Sequence, residues 1–242
     1  MDIRKKSLIF VPQLKNKCLT IKNKKTMGQY YKPILLAEDK KTPLFNIYTW
    51  DFQCGLKLTE HSYIGNPVLG AIEKLICDKP TCLVWAGDYA DVEVDNNDNL
   101  YFISEDVGES ITLTKLNKKS KIKIEKLADS LCKFSENKCQ YIINHSKKQF
   151  VDKSKCPYYK WQEHKYALHP LALLTAEGNG RGGGDYEGTN MELIGSWSRD
   201  FISVSANKPT DDFVEIVPNF VEDWVATHEK VIYPSVGLVN VE

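Results

Sequence analysis

The sequence of 242 residues predicts an α+β fold with mainly antiparallel sheet and a few packed helices. Three observations lead to this class. Short aromatic and β-branched runs bounded by polar turns are typical of strands. One stretch has the apolar period of an amphipathic helix. Two stretches, about 28–95 and 140–206, share an order of motifs, so the fold can consist of two pseudo-symmetric halves.

Strand-like composition recurs along the whole chain. We expect strands over residues 29–36, 45–50, 56–59, 82–85, 100–103, 111–113, 139–144, 149–151, 193–197 and 201–204. The shortest of these predictions depend on alternation alone, as in Leu56-Lys57-Leu58-Thr59. Residues 153–169 show little periodicity and are expected to form a long loop.

Three helices are expected, and the first has the clearest signals. Asn66 suits the N-cap and Pro67 suits the first helical position. One apolar face follows, made of Val68, Ala71, Ile72, Leu75 and Ile76. A second helix is expected from about Lys121 to Ser135 with Ser120 as its cap, and a last one from about Asn219 to Glu229.

Charge divides the chain into residues 1–26, a basic extension expected to be mobile, and residues 27–242, expected to be a single α+β domain. Residues 1–27 hold eight Lys or Arg against one acid, which leaves 24 basic and 31 acidic residues in the remainder. The acidic body disfavours nucleic-acid binding, which needs a basic surface. The extension could also be an arm that docks on an acidic partner.

The cysteine and histidine patterns indicate neither a disulfide framework nor a metal site. The seven cysteines are odd in number and match no common zinc spacing, so we expect reduced thiols in a cytoplasmic setting, in a host or bacterial cell. None of the five histidines pair at helical spacing, and no metal is expected. No apolar run reaches the about 18 residues that a membrane helix needs, so no membrane partner is expected.

The internal repeat rests on two echoing segments. Lys40-Lys41 precedes Trp85 by 45 residues, and Lys147-Lys148 precedes Trp197 by 50. Each Trp is followed three residues later by an aspartate. The alternative explanation for these matches is chance, or the residue preferences that all strands and turns share.

The glycine segment is the principal candidate for a ligand site. Six of the fourteen glycines lie between Gly178 and Gly188, and each costs backbone entropy on folding. Backbone N–H groups there could contact an anion, with Arg181 as a bidentate clamp. The candidate ligand-binding residues are Gly178, Asn179, Gly180, Arg181, Gly182, Gly183, Gly184 and Asp185. The spacing fits neither a phosphate loop nor a dinucleotide fingerprint, so a purely structural loop stays open.

Six further residues could form a polar wall opposite the glycine segment. They are His61, Asp88, Asp91, His169, Glu177 and Asp200. Each also has a structural interpretation, since aspartates cap turns and lone histidines are often core residues. No serine or cysteine lies in a nucleophile elbow, so no catalytic residue and no cofactor is assigned. Hydrolysis would require Asp88, Asp91 and Glu177 to converge.

Three blocks of sequence resemble a known group of proteins. They are Met27-Gly28-Gln29-Tyr30-Tyr31, Trp85-Ala86-Gly87-Asp88-Tyr89-Ala90-Asp91 and Gly178-Asn179-Gly180-Arg181-Gly182-Gly183-Gly184-Asp185-Tyr186. Together they span about residues 27–205 and resemble a group of uncharacterised proteins from bacteria, bacteriophages and large DNA viruses. The resemblance implies that Met27 opens the folded unit, and it implies no activity, cofactor or catalytic residue.

Two functions follow as expectations. The first is binding of a small anionic ligand, such as a nucleotide, at Gly178–Asp185. The alternative is a non-enzymatic protein-interaction or structural role, in which the same loop docks on a protein partner.

Overall fold

The fold is described by a computed structural model for residues 29–178 and 186–234. Its strands are β1 (Tyr31–Leu36), β2 (Pro43–Ile47), β3 (Thr81–Gly87), β4 (Glu109–Ile111), β5 (Tyr141–Asn144), β6 (Gln149–Asp152), β7 (Tyr159–Trp161), β8 (His164–Tyr166), β9 (Ala176–Glu177), β10 (Asp200–Ser205) and β11 (Val214–Glu215). The α-helices are α1 (Leu58–His61), α2 (Pro67–Ile76), α3 (Leu100–Val107), α4 (Leu113–Ser120), α5 (Ile124–Asn137), α6 (Pro170–Leu174) and α7 (Asp223–His228). Short 3₁₀ turns cover Thr49–Phe52, Lys153–Lys155 and Met191–Leu193.

One large sheet organises these elements. Its order is β11-β6-β5-β10-β3-β1-β2-β4, and β9 pairs with β3 off this path. The pairs of the hairpins and of the sheet centre are antiparallel, and the edge strands β4 and β11 and the short β9 pair in parallel. The predicted α+β class with mainly antiparallel sheet is therefore confirmed.

The strand pairing follows one pattern on both sides of the central β3–β10 pair. On one side β3 pairs with the first strand of the β1–β2 hairpin, and β4 adds to β2 in parallel. On the other side β10 pairs with the first strand of the β5–β6 hairpin, and β11 adds to β6 in parallel. The pattern includes β4 and β11, which lie outside the expected halves of residues 28–95 and 140–206, so those halves stay a prediction.

The residue correspondence differs from the expected one. Cys82 and Phe201 face each other at the middle of the antiparallel β3–β10 pair, so a twofold axis between them would exchange these two residues. The same axis would exchange Trp85 with Val204, because each lies three residues further along its strand. The expected match of Trp85 with Trp197 is therefore out of register, because Trp197 lies in the turn that precedes β10.

Helix α2 forms where its local signals predict it. The Asn66 side chain accepts a hydrogen bond from the Val68 N–H at 2.8 Å, and Pro67 occupies the first turn. Its buried face packs on α5 so closely that a Cβ on Gly70 would lie 1.9 Å from the Leu131 carbonyl oxygen. Backbone contact of this kind holds the two helices at a fixed distance over the sheet.

Three short strand predictions are wrong. Residues 56–59 lead into α1, residues 100–103 form the first turn of α3, and residues 193–197 form turns. In α3 the cause is local, because the Asn99 side chain accepts from the Phe102 N–H and caps a helix. Four residues of alternating polarity cover little more than one helical turn, so they fit both structures.

The second predicted helix and the predicted long loop need correction as well. Ser120 ends the unpredicted helix α4 and does not cap α5, which begins at Ile124. Residues 153–169 contain the separate β7–β8 hairpin, whose facing pairs include Tyr159 with Tyr166. The six described cysteines carry free thiols, and no helix in the described ranges is long and apolar enough to cross a bilayer.

Candidate functional site

A polar cavity of about 520 Å³ opens beside the residue that begins the glycine segment. Its wall includes Asp91, Glu93, Lys147, Glu177, Gly178 and Arg199. The volume lies within the roughly 300–1,000 Å³ range of small-molecule sites. We call this space the polar cavity.

Arg199 forms the centre of the wall, held between two carboxylates. Its Nε donates to Glu177 Oε2 at 2.8 Å, and its NH1 donates to Glu93 Oε2 at 3.0 Å. NH2 donates to both glutamates. Burial opposes the charge of Arg199, but the hydrogen bonds from its guanidinium to Glu93 and Glu177 outweigh it and raise the pKa above its ordinary value. The guanidinium is a permanent cation with most of its donors occupied.

The turn before β10 places Arg199 in a backbone conformation that is rare for its type. Its φ is +60°, in the left-handed region, and its N–H donates to the Leu83 carbonyl at 2.9 Å. The Ser198 hydroxyl donates to Glu177 Oε2 at 2.6 Å and fixes that carboxylate from the same turn. A residue other than glycine in this region costs roughly 1 kcal/mol or more. The contacts of the side chain therefore have to offset a backbone cost.

Lys147 supplies the second cation of the wall, from the turn between β5 and β6. Its ammonium donates to the Ser196 carbonyl and lies 3.7 Å from Asp200. Asp91, Glu93 and Glu177 supply three carboxylates against Lys147 and Arg199. The described wall therefore carries a net charge of about −1 at neutral pH.

Three of the residues expected from the sequence line this cavity: Asp91, Glu177 and Gly178. Gly178 is buried at the end of β9, and Asp91 is exposed in the loop after β3. The candidates Asn179, Gly180, Arg181, Gly182, Gly183, Gly184 and Asp185 lie outside the described residues, as does Met27.

The other two aspartates hold turns and strands beside the site. Asp88 Oδ1 accepts the Tyr30 N–H at 3.0 Å, and burial raises the pKa of the Asp88 carboxyl. Asp200 Oδ2 accepts from the Asn144 amide at 2.8 Å at the start of β10. Neither lines the polar cavity, so Asp88, Asp91 and Glu177 do not form the three-carboxylate wall that hydrolysis would need.

His61 is a core residue. Its side chain is fully buried, and its Nε2 accepts the indole N–H of Trp85 at 2.8 Å. Because an indole nitrogen can only donate, the proton of the neutral ring is on Nδ1, which lies 3.0 Å from the Gly55 carbonyl. Burial lowers the pKa of His61 to about 4, so the ring is neutral at physiological pH.

His169 belongs to a buried network away from the polar cavity. As the N-cap of α6 it accepts the Leu171 N–H on Nδ1 at 3.2 Å, so Nε2–H donates to Glu73 at 2.9 Å. Lys153 also donates to Glu73 and to the Ser135 carbonyl. Burial alone would raise the pKa of Glu73, but the charge of Lys153 and the hydrogen bonds from His169 and Lys153 outweigh it and lower that pKa. The network joins α2 to the opposite half of the fold.

Within residues 29–178 and 186–234, no three or more His, Cys, Asp or Glu side chains are placed so that they could hold a metal ion together. Comparison with protein-family models, with curated proteins and with solved structures gives no match.

Sequence reasoning does not predict Glu93, Lys147 or Arg199 as site residues. Glu93 and Arg199 are 106 positions apart, and nothing local to either residue indicates the pair. The Lys147-Lys148 pair marks the predicted repeat, and it lies in the β5–β6 turn, which brings Lys147 to the cavity.

Proposed function

We propose that the protein binds a small, hydroxyl-rich ligand in the polar cavity, of the nucleoside or sugar class. The observation that carries the proposal is the Glu93–Arg199–Glu177 bridge, which exposes charged acceptors and a fixed cation on the wall of a ligand-sized space. Side chains of this kind hydrogen-bond hydroxyl groups, which both donate and accept.

The charge of the wall decides between neutral and anionic ligands. Three carboxylates against two cations disfavour a polyphosphate, and Arg199 already binds two of those carboxylates. Asp185 would add negative charge to the glycine segment and Arg181 would add positive charge, so the segment itself brings no excess of cations. The proposed ligand is therefore neutral, and it differs from the anionic ligand expected from the sequence.

Gly178 supplies a second line of support. It is buried at the cavity wall and begins the stretch with the highest glycine density in the chain. Glycines allow a ligand to approach the backbone closely, because no Cβ intervenes. A ligand in the polar cavity would thus meet the first residue of the glycine segment.

Thermal unfolding with a ligand panel tests the proposal. Adenosine and neutral monosaccharides should stabilise the protein, by about 1.4 kcal/mol at ten times Kd, and ATP and sugar phosphates should stabilise it less. Asp91→Asn should weaken the shift, because Asp91 lines the cavity. Asp106→Asn is the matched control, since Asp106 is exposed on α3 and outside the cavity.

Two results would count against the proposal. If ATP stabilises the protein more than adenosine does, the ligand is anionic and the neutral-ligand proposal is wrong. No shift with any member of the panel at millimolar concentration would leave the docking role as the better explanation of the glycine segment.

A further inference from the structure

A second cavity, of about 240 Å³, lies between the α1–α2 connection, the β7–β8 hairpin and α7. Its wall is largely aromatic and aliphatic and includes Tyr63, Tyr159, Tyr166, Phe220, Glu60 and Glu222. We call it the tyrosine cavity. It shares no lining residue with the polar cavity.

The three tyrosine rings are positioned by contacts with one another. Tyr166 stacks on Tyr159 with ring centroids 5.7 Å apart and 21° between planes, and it tilts by 57° against Tyr63 at 6.2 Å. The Ile64 N–H donates to the Ala167 carbonyl at 2.9 Å, which ties the α1–α2 connection to the end of the hairpin. The wall is therefore formed before any ligand arrives.

The charges at the tyrosine cavity have one sign. Among its described lining residues the carboxylates Glu60 and Glu222 are charged, and there is no lysine or arginine. Burial and the charge of Glu222 raise the pKa of Tyr159, so its ring is a neutral phenol at physiological pH. Aromatic faces carry negative potential, so rings and carboxylates attract the same kind of ligand.

The chain itself provides a precedent for this attraction. The Lys165 ammonium lies 4.2 Å from the ring centroid of Tyr158, which also lines the cavity. Lys165 is not among the lining residues of the cavity.

We propose that the tyrosine cavity binds a small organic cation, an alkylated ammonium group whose methyl surface contacts the rings and whose charge faces Glu222 and Glu60. The volume is below the usual range for drug-sized ligands, which favours a compact head group. A hydrated metal ion does not fit the same wall, because aromatic and aliphatic groups cannot replace its water ligands.

The test compares choline with 3,3-dimethylbutan-1-ol, a neutral compound of nearly the same shape, on the full-length protein. Binding is measured by ligand-observed NMR and calorimetry. Choline should bind at least about tenfold more tightly than the neutral analogue, because the aromatic faces and the carboxylates attract its charge and have no such attraction for a neutral group. Equal affinity, or no binding of choline, overturns the proposal.

Variants locate the site. Tyr166→Leu keeps an apolar wall and should weaken choline binding about tenfold without weakening the neutral analogue. Glu222→Gln should weaken choline alone and reduce the dependence of its affinity on salt. Tyr159→Leu is a second ring variant, in case Tyr166→Leu unfolds the hairpin.

Two controls lie on α7 but outside the cavity. Trp224 is exposed and stacks on His228, and Asp223 is an exposed acid next to Glu222. Trp224→Leu and Asp223→Asn should leave choline affinity within about twofold. If they weaken it as much as the cavity variants do, choline binds elsewhere and the proposal fails.

Discussion

Two substitutions of Arg199 should separate the contribution of its two ion pairs to the free energy of unfolding from the strain of its left-handed backbone conformation. The pairs are partly buried: the side chains of Arg199, Glu93 and Glu177 are 22%, 15% and 19% exposed. Exposed pairs contribute about 0–1 kcal/mol, and breaking a buried pair costs about 3–5 kcal/mol. After discounting for solvent, Arg199→Ala should lower the free energy of unfolding by about 2–3 kcal/mol.

Arg199→Gly removes the same contacts but suits the backbone. At φ +60° a residue with a Cβ is strained by roughly 1 kcal/mol or more, and glycine is not. Arg199→Gly should therefore be more stable than Arg199→Ala by about 1 kcal/mol. The order is unusual, because glycine elsewhere destabilises through the entropy of the unfolded chain.

Urea unfolding at pH 7, followed by tryptophan fluorescence, measures both differences. Lys148→Ala is the control, because Lys148 and Asp212 form a pair at 2.8 Å whose side chains are 63% and 52% exposed. Its loss should cost less than about 1 kcal/mol. If Arg199→Ala costs no more than this control, the bridge at the polar cavity contributes nothing measurable. If Arg199→Gly and Arg199→Ala are equally stable, the backbone argument is wrong.

Three further predictions concern the buried core. Glu73→Leu leaves the Lys153 ammonium without its counter-charge and should lower the free energy of unfolding in urea by about 3–5 kcal/mol. Adding Lys153→Met should recover part of that loss, and additive losses of the two variants would contradict the pairing. The pKa of His61 is lowered from 6.5 to about 4, so the unfolded chain binds more protons between these values, and the free energy of unfolding should decrease as the pH is lowered from 6.5 to 4, by up to about 1.4 kcal/mol per pH unit. His61→Gln should flatten that pH profile, and an unchanged profile would exclude His61 as its source. Gly70→Ala should destabilise despite its better helix propensity, because the new Cβ meets the backbone oxygen of Leu131 at 1.9 Å, and a gain of about 0.5–1 kcal/mol in urea unfolding would refute the contact.

Local signals made part of this fold predictable. Helix α2 is specified by a cap, a proline and an apolar face within eleven residues, and each acts at short range. Strand β3 contains a continuous apolar run from Cys82 to Ala86 that suits a buried position, and β10 has the aromatic and β-branched residues Phe201, Ile202 and Val204 typical of a strand. Residues 100–103 were predicted wrongly because their composition suits strand and helix alike, and the Asn99 cap decided the outcome.

The candidate site was less predictable than the fold, because its parts meet only in the folded chain. Glycine density predicts a site that begins at Gly178, and that residue lines the polar cavity; ligand binding there stays a prediction. The ion pairs that shape the wall link β9 and the turn before β10 to a loop 106 positions from Arg199. No spacing rule connects such residues, and Arg199 has no neighbours in sequence that mark it as a cavity residue.

The pairing pattern explains why both halves are needed to build the polar cavity. The chain after α2 pairs with β10 through Cys77 and Val204, and the chain after α6 pairs with β3 through Ala176 and Trp85. Each half therefore contributes backbone to the central strand of the other. These two pairings, here called crossings, are equivalent by strand register, but only the second continues directly into Glu177 and Gly178. The polar cavity therefore lies beside one crossing and not the other, because Glu177 and Gly178 line it and the residues that follow Cys77 do not.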